Sequence, residues 1–517
     1  MPEGAGASGA RAVRPGLWAR RSLTAIPVAV VVAAGVVVRF VARSPLWLDE
    51  ALTVNIARLP LGSIGAALRR DGHPPLFYWM LHLWMLVFGS GDSTVRALPG
   101  VLAVAALPIA WLAGQRLAGQ AGATAALVLT ATSPFVIRYS TEARMYTLVM
   151  LLVFIGVIAV PAAVAKPTRP RLAAVAVIIA ALLYSNYWDM YIVALVAAAL
   201  LWHARAEGAR RNNLAVVAAV AVGALAFVPW LPSLLSQAAN TGTPWATAAR
   251  PTVVVTWTVR DLGGLVDDGG ALGVVLVVLV LLGAFGAAVD DRHIDLDVRG
   301  RDPVRWVAAL ALGTLALGTM VALVSRTAYQ SRYASVVVPL VLVAAAAGIT
   351  RIASSWLRAT TLAAAVVLAL PGMVAAASQD RTQGGQVVDQ LNAHASPGDV
   401  VLYCPDQLGP AFSRHLRADV RTMTYPTGAA ALFVDWRNYA ARNAAADPDA
   451  FARQVLADTP VDRTIWMAWV GGYRTYGDQC ERLDTALREA RPDGGAIVRD
   501  RPTVLEHATL VEYRSGG

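Results

Sequence analysis

Leu76-Phe77-Tyr78-Trp79-Met80-Leu81-His82-Leu83-Trp84-Met85-Leu86-Val87-Phe88-Gly89 is apolar enough for a membrane helix but too short to be one. A run of about 10–14 residues reads as interfacial or re-entrant, whereas a span takes about 20. Its placement decides the side on which every later loop lies. Longer apolar runs mark eleven candidate spans: 26–42, 97–114, 121–137, 145–165, 171–187, 189–204, 214–230, 271–289, 306–325, 335–350 and 359–377. If 76–89 does not cross, the basic clusters at 11–21, Arg116, Lys166–Arg171, Arg205–Arg211, Arg292–Arg305 and Arg351–Arg358 share one side. Cytoplasmic loops collect arginine and lysine, so a tail over 1–25 is placed inside and everything after 378 outside. If it crosses, that agreement is lost. The expected fold is a polytopic α-helical membrane protein of eleven transmembrane helices, with its membrane part over 26–377.

Composition agrees. Of 517 residues, 56% are hydrophobic and only 15% charged, with a mean hydropathy of +0.53; soluble domains are nearer a quarter charged. The net charge of +10 sits in short loops between apolar runs, which argues against a nucleic-acid partner. No small-residue cleavage site follows the first apolar run, so it reads as a retained span. Lys166 is the only lysine among 44 basic residues. That skew, with the Ala and Val richness, suggests a GC-rich genome; the expected location is the inner (plasma) membrane of a bacterium, an actinobacterium. Residues 378–517 have ordinary polarity. Their β-like runs Val400–Tyr403, Thr464–Trp469 and Val504–Tyr513 alternate with helical patterns at 384–394 and 447–457, which predicts a small extracytoplasmic α/β domain. Cys404 and Cys480 both fall there, and a disulfide and a pair of inert buried thiols fit equally well.

On this topology the outer face receives 43–96, 138–144, 230–270, 326–334 and the C-terminal part. Asp49-Glu50 stands where the first span ends. A carboxylate there can take a proton from an attacking hydroxyl or bind a divalent cation; the plainer reading is a solvated helix end. Asp71-Gly72-His73-Pro74-Pro75 joins an acid and an imidazole to a rigid turn, which suits a metal or a phosphate. Its plainer reading is a helix start, which favours Pro after Asp. Arg138-Tyr139-Ser140-Thr141-Glu142-Ala143-Arg144-Met145-Tyr146 offers guanidinium forks that match phosphate oxygens, or else an ion pair of Glu142 with Arg138 or Arg144. Ser331-Arg332-Tyr333, near Arg326, puts arginine outside against the charge rule, so an anionic ligand is the sharper reading. Tyr184–Asp189 is an aromatic belt unless Asp189 faces a cavity. There is no glycine-rich dinucleotide loop, Walker lysine, HExxH or zinc-ligand spacing, so a soluble nucleotide-sugar transferase and an ATPase are unsupported.

These motifs resemble the GT-C superfamily of membrane glycosyltransferases that use polyprenyl-phosphate sugars. The nearest group is that of protein mannosyltransferases and aminoarabinose transferases (glycosyltransferase family 39 and relatives). The resemblance rests on Leu48-Asp49-Glu50, His73-Pro74-Pro75-Leu76-Phe77-Tyr78-Trp79, Glu142-Ala143-Arg144-Met145-Tyr146 and Arg332-Tyr333, and covers roughly residues 25–350. It implies an external active site and an inverting, single-displacement transfer to a glycan, lipid or protein hydroxyl, with mannose as the favoured sugar and arabinofuranose the alternative. Asp49 matches the catalytic acid residue and would be the general base, with Glu50 positioning acceptor or metal. His73, Arg144, Arg332 and Tyr333 would hold the donor phosphate. Asp71 and Glu142 are acceptor or metal candidates, and a divalent cation is left open. Relatives with a Glu-Lys-Pro-Pro motif carry an acid where this chain has Gly72, which argues against metal binding by Asp71. Two other classes remain. A transporter or flippase of a lipid-linked precursor would need ionisable residues in mid-span, and these spans are almost free of them. A non-catalytic scaffold would merely display the C-terminal domain.

Overall fold

The computed structural model describes residues 17–243, 246, 250–264, 269–290, 293–300, 302–417 and 419–516, with side chains from residue 25. The basic residues Arg11, Arg14, Arg292 and Arg301 lie outside the described residues. Apolar helices form a bundle in which the chain runs back and forth between two ends. One end gathers the segments read above as external. Leu76 N–H donates to Tyr184 O (3.0 Å), Gln237 Nε2 to Leu68 O (2.7 Å), Tyr139 Oη to Asp261 Oδ2 (3.0 Å) and Arg381 Nη1 to Thr141 O (2.8 Å). The opposite end gathers the basic loops. Arg116 donates to Ile158 O, Arg171 to Ala162 O and Arg305 to Ala284 O, and Arg351 pairs with Asp302.

Among the described residues five helices are long and apolar enough to cross a membrane: Asp92–Thr132, Tyr146–Ala165, Glu207–Asn240, Pro303–Ser325 and Ser355–Ser378. Shorter apolar helices lie beside them at Ala25–Val38, Leu76–Phe88, Asp189–His203, Gly269–Phe285 and Val338–Thr350. Leu312 and Val324 are 71% and 82% exposed on the outer face, an arrangement suited to hydrocarbon rather than water.

Local chemistry moves several helix ends away from where hydropathy puts them. The first helix stops at Val38, not 42. Arg39 then folds into the bundle and donates to the carbonyls of Gly35, Thr130 and Ala131. The long stretch Asp92–Thr132 is broken at Ala118 and Gly119, where Gly119 takes φ +67°. Its halves then fold back on one another, so closely that a Cβ on Gly114 would fall 2.5 Å from Gly122 O. The second half ends at Thr132, before the expected 137, because Ser133 accepts the Val136 N–H (3.3 Å) and Pro134 opens a new helix to Ser140. The helix Arg169–Leu183 likewise stops short of 187. At the centre, the almost wholly buried Val338–Thr350 lies against Gly269–Phe285; a Cβ on Gly348 would fall 1.9 Å from Leu279 O. Small residues permit such close backbone approach between apolar helices.

Leu76–Phe88 is a helix that turns Phe77, Tyr78 and Leu81 inward and leaves Leu83, Leu86, Val87 and Phe88 exposed. Gly89 (φ +84°) ends it.

A short hairpin of β1 (Gly286–Ala288) and β2 (Ile294–Leu296) lies between two bundle helices. Residues 379–516 build a separate five-stranded sheet. Its strands are β3 (Val400–Cys404), β4 (Arg421–Thr424), β5 (Ile465–Trp469), β6 (Asp493–Val498) and β7 (Thr509–Arg514), in the order β4-β3-β5-β7-β6. β3 runs parallel to β4 and β5, while β7 is antiparallel to β5 and β6. Central parallel strands are buried on both faces and read as continuous apolar runs, as Val400-Val401-Leu402-Tyr403-Cys404 does. Residues 504–508, expected as strand, lie outside the sheet: Glu506 forms an isolated bridge with Thr382, and its side chain meets Leu48 of the bundle. Cys404 and Cys480 form a disulfide with a Cα–Cα distance of 5.7 Å.

Candidate active site

Asp49 lies in the first turn of the helix Leu48–Ala57 and keeps partial access to solvent. Its Oδ2 is 3.0 Å from Nη1 of Arg332, whose guanidinium stands 5.6 Å over the Trp47 ring. Arg332 is delivered by the turn Ser331–Val336 between two bundle helices. Arg144 comes from a third direction. It donates through Nη1 to Thr53 Oγ1 (2.7 Å) and to the Asp49 carbonyl (3.4 Å), and through Nη2 to His73 Nε2 (2.8 Å). Arginine only donates, so Nε2 of His73 accepts and the ring proton sits on Nδ1. That proton meets Asp71 Oδ2 at 2.8 Å, and the Tyr78 hydroxyl donates to the same oxygen (2.9 Å). Burial alone would raise the Asp71 carboxyl, but His73, Arg144 and Tyr78 hold it below the usual range. Asp71 and His73 thus orient Arg144.

Glu50, one residue on, faces the other way. It is fully buried and takes a two-point grip from Arg96 (Nε to Oε1, 2.7 Å; Nη2 to Oε2, 2.5 Å), with the Ala143 N–H on Oε1 at 2.9 Å. Arg381 stands 3.9 Å away and itself grips Thr141. Burial raises the Glu50 carboxyl, yet Arg96 and Arg381 bring it below the ordinary carboxylate range. The expectation that Glu50 positions acceptor or metal is therefore corrected: its carboxylate is spent on tying the first loop to the 141–144 turn. Glu142 pairs with Arg138 at 3.7 Å rather than with Arg144, and burial raises its carboxyl. It shares the buried network of Glu50 and Arg381 and also senses Arg332. Tyr333 stacks on Trp188 with ring centroids 5.3 Å apart. Arg326 is exposed in a left-handed turn (φ 54°), and Asp189 is fully buried with both carboxylate oxygens unpartnered.

Among the described residues no three His, Cys, Asp or Glu side chains gather as a cation site. The donors present do not fit one: Asp71 is committed to His73 and Tyr78, Glu50 to Arg96, and the partner of Asp49 is a guanidinium. A separate cavity of about 540 Å³, lined by Arg43, Asp92, Arg96, Asp389 and Arg414, lies behind the Arg96–Glu50 pair.

Sequence reasoning missed Thr53, Tyr78, Arg96, Asp261, Arg381 and Glu506. Arginine outside a span, the signal that pointed to Arg332, applies equally to Arg96 and Arg381. Asp261 accepts from Tyr139, and burial pushes its carboxyl up to about 6.

Residues 72–232, which include His73 and Arg144, match the dolichyl-phosphate-mannose-protein mannosyltransferase family. Among curated protein sequences none matches the chain. Solved structures with a similar fold include ArnT from Cupriavidus metallidurans bound to undecaprenyl phosphate, at 14% identity and a TM-score of 0.60 over 95% of this chain and 99% of that one. Its apo state aligns at 13% identity with a TM-score of 0.61 over 96% and 100%. The Archaeoglobus fulgidus oligosaccharyltransferase in complex with Zn and sulfate aligns at 13% identity with a TM-score of 0.52, over 94% of this chain and 73% of that one. Along almost its whole length, the chain has the fold of the GT-C superfamily of membrane glycosyltransferases.

Proposed function

We propose that this chain transfers a sugar from a polyprenyl-phosphate donor to a hydroxyl of a cell-envelope acceptor, with inversion, at the external face of a bacterial plasma membrane. Mannose is the favoured sugar and arabinofuranose the alternative. The observation that carries this reading is the half-open Asp49 carboxylate set between Arg332 and the braced Arg144. The matched family is named for a dolichyl-phosphate-mannose donor, and ArnT was solved with undecaprenyl phosphate bound; both lipids are polyprenyl phosphates. Basic loops at the end opposite the site favour eleven spans, the N-terminus inside and Leu76–Phe88 along the outer surface. A disulfide in residues 379–516 fits an oxidising, external side. An apolar cavity of about 540 Å³ lined by Val153, Val157, Ile178, Val196 and Leu310 suits a hydrocarbon tail.

In the reaction the acceptor oxygen bonds to the anomeric carbon as the bond from that carbon to the phosphate oxygen breaks. The acceptor proton passes to Asp49, within the reach expected of a general base. Charge grows on the departing lipid phosphate, where Arg332 and Arg144 are placed to stabilise it. Because Arg332 meets Asp49, donor binding draws this guanidinium to the phosphate and frees the carboxylate. In membranes supplied with labelled polyprenyl-phosphate mannose, Asp49→Asn is expected to lower transfer by about 10²–10⁴-fold. Transfer near the wild-type rate overturns the assigned base.

A further inference from the structure

Glu506 belongs to the segment linking β6 to β7, far from the membrane motifs in sequence, yet its side chain enters the bundle. Oε2 accepts the backbone N–H of Leu48 (3.3 Å), at the start of the helix that carries Asp49. Oε1 is buried with no hydrogen-bond partner. The residue's backbone is pinned on both sides: Glu506 N–H donates to Arg381 O (3.0 Å) and its carbonyl accepts from Gln383 N–H (2.9 Å). Gln383 in turn accepts from the Arg501 and Ala508 N–H groups through Oε1. A carboxyl held this firmly, in contact with the catalytic helix, is built into the site.

Its charge environment is unlike that of the other acids. Glu50 has Arg96, Glu142 has Arg138 and Asp49 has Arg332. Among the described residues no arginine forms an ion pair with Glu506. Arg381, whose carbonyl takes the Glu506 N–H, turns its guanidinium to Thr141 and Glu50, and Arg501, on the same segment as Glu506, pairs with Asp380 at 3.1 Å. The other titratable groups around it are Asp49 and Glu50 on the contacted helix and His507 with Asp500 on its own segment (3.4 Å), and the Thr382 hydroxyl also reaches its carboxyl. An ionised carboxylate here would be buried, uncompensated and beside two others. Asp49 Oδ2, meanwhile, is approached by Arg332 without hydrogen-bond alignment and accepts no hydrogen bond.

We propose that Glu506 works as a neutral carboxylic acid that positions Asp49 through the start of its helix: its carbonyl oxygen takes the Leu48 N–H, and its hydroxyl stays buried without adding a negative charge near Asp49. This rests on the reading of Asp49 as the base. Burial, helped by the Asp49 and Glu50 charges, pushes the Glu506 carboxyl up to about 8, so the proton is held at neutral pH and released in mild alkali. Ionisation would place a second negative charge beside the base and loosen its hold. A glutamine at 506 keeps the carbonyl and a donor but cannot ionise.

Two measurements on the full-length protein in lipid nanodiscs test this. The first is the infrared difference spectrum of wild type minus Glu506→Gln, which cancels the other buried acids. It is expected to show a protonated carboxyl band at pH 7 that titrates away near pH 8. No such band at pH 7 overturns the proposal, whatever the protein catalyses. The second is transfer from labelled polyprenyl-phosphate mannose as a function of pH. Wild type is expected to lose about tenfold between pH 7.5 and 9, as a group with its pKa near 8 deprotonates. Glu506→Gln is expected to be about threefold slower than wild type at pH 7 but flat across that interval, while Glu506→Ala is slow throughout. An alkaline limb that persists in Glu506→Gln overturns the positioning role. If neither protein transfers this sugar but the band is present, the donor assignment fails and the protonated Glu506 stands.

Discussion

Asp49 and Glu50 are adjacent, chemically almost identical and structurally opposite. One helical step of about 100° separates them. That step turns Asp49 toward Arg332 on the partly exposed side, and drives Glu50 into the two-point grip of Arg96. The two should therefore fail differently. Arg96→Met removes the two-point partner of the buried Glu50 and leaves it only the Ala143 N–H and Arg381 at 3.9 Å, a change that costs about 3–5 kcal/mol and should lower the thermal unfolding midpoint in detergent. Arg332→Gln should leave that midpoint near wild type while cutting kcat/KM by about 10²–10³-fold, the scale of losing one donor to developing negative charge. The pH response has a definite sign. Glu50 and Asp71 have carboxyls held below the usual range. Their contribution to stability is present above the unfolded value of about 4 and is lost as pH falls through the lower folded values. Acid unfolding, followed by tryptophan fluorescence, should thus begin at higher pH in Arg96→Met. Asp49, His73, Arg144 and Arg332 were legible in the sequence because polar groups at a membrane face need a reason to be there. Which acid of the pair faces the cavity was not, since hydropathy and motif treat both alike. Glu506 was invisible for a different reason: only the path of the C-terminal chain brings it to Leu48.

The elements were easier to find than to end. Apolar runs give the helices because hydrocarbon leaves a backbone little choice but to satisfy itself. Their termini depend on single residues that averaging hides: Arg39 filling the carbonyls of Thr130 and Ala131, Ser133-Pro134 closing one helix and opening the next, Gly119 in a left-handed turn. The aromatic helix Leu76–Phe88 shows the limit most clearly. Its length argued that it does not cross, and the inward set Phe77, Tyr78 and Leu81 shows how it anchors against the site. Helix contacts also set what substitution will be tolerated. Gly348→Val places side-chain atoms where Leu279 O already stands. It should cut the yield of folded protein from detergent-solubilised membranes, whereas Gly208→Ala, with nothing within 4 Å, should leave that yield unchanged.

At the scale of the molecule, the membrane bundle and the C-terminal sheet share the site. Arg381 grips Thr141, Glu506 meets Leu48, Asn55 donates to Leu432 O (2.8 Å) and Arg414 binds Asp92. The α/β character of residues 379–516 was legible from alternating β and helical patterns; this docking was not, because each contact joins residues hundreds of positions apart. Replacing Cys404 and Cys480 by serine should cost the C-terminal part about 2–5 kcal/mol, seen as faster cleavage there in limited proteolysis. Epitopes inserted at Gly208 and at Gly472, both in open space, should be reached by antibody from opposite faces of the membrane. Antibody reaching both from one face contradicts the assigned topology.

The contact between Asp49 and Arg332 means that the site already satisfies its own charge. A small soluble anion arriving from the medium would have to separate that pair with nothing but its own electrostatic attraction. A lipid-linked phosphate brings the burial of a long hydrocarbon chain as well, about 0.8 kcal/mol for each methylene removed from water. Discrimination against sulfate and inorganic phosphate should therefore be intrinsic to the resting state, and millimolar sulfate should leave turnover unchanged in wild type. In Asp49→Asn the guanidinium stands unclaimed, and the same sulfate should protect the Arg332 turn against an arginine-modifying reagent.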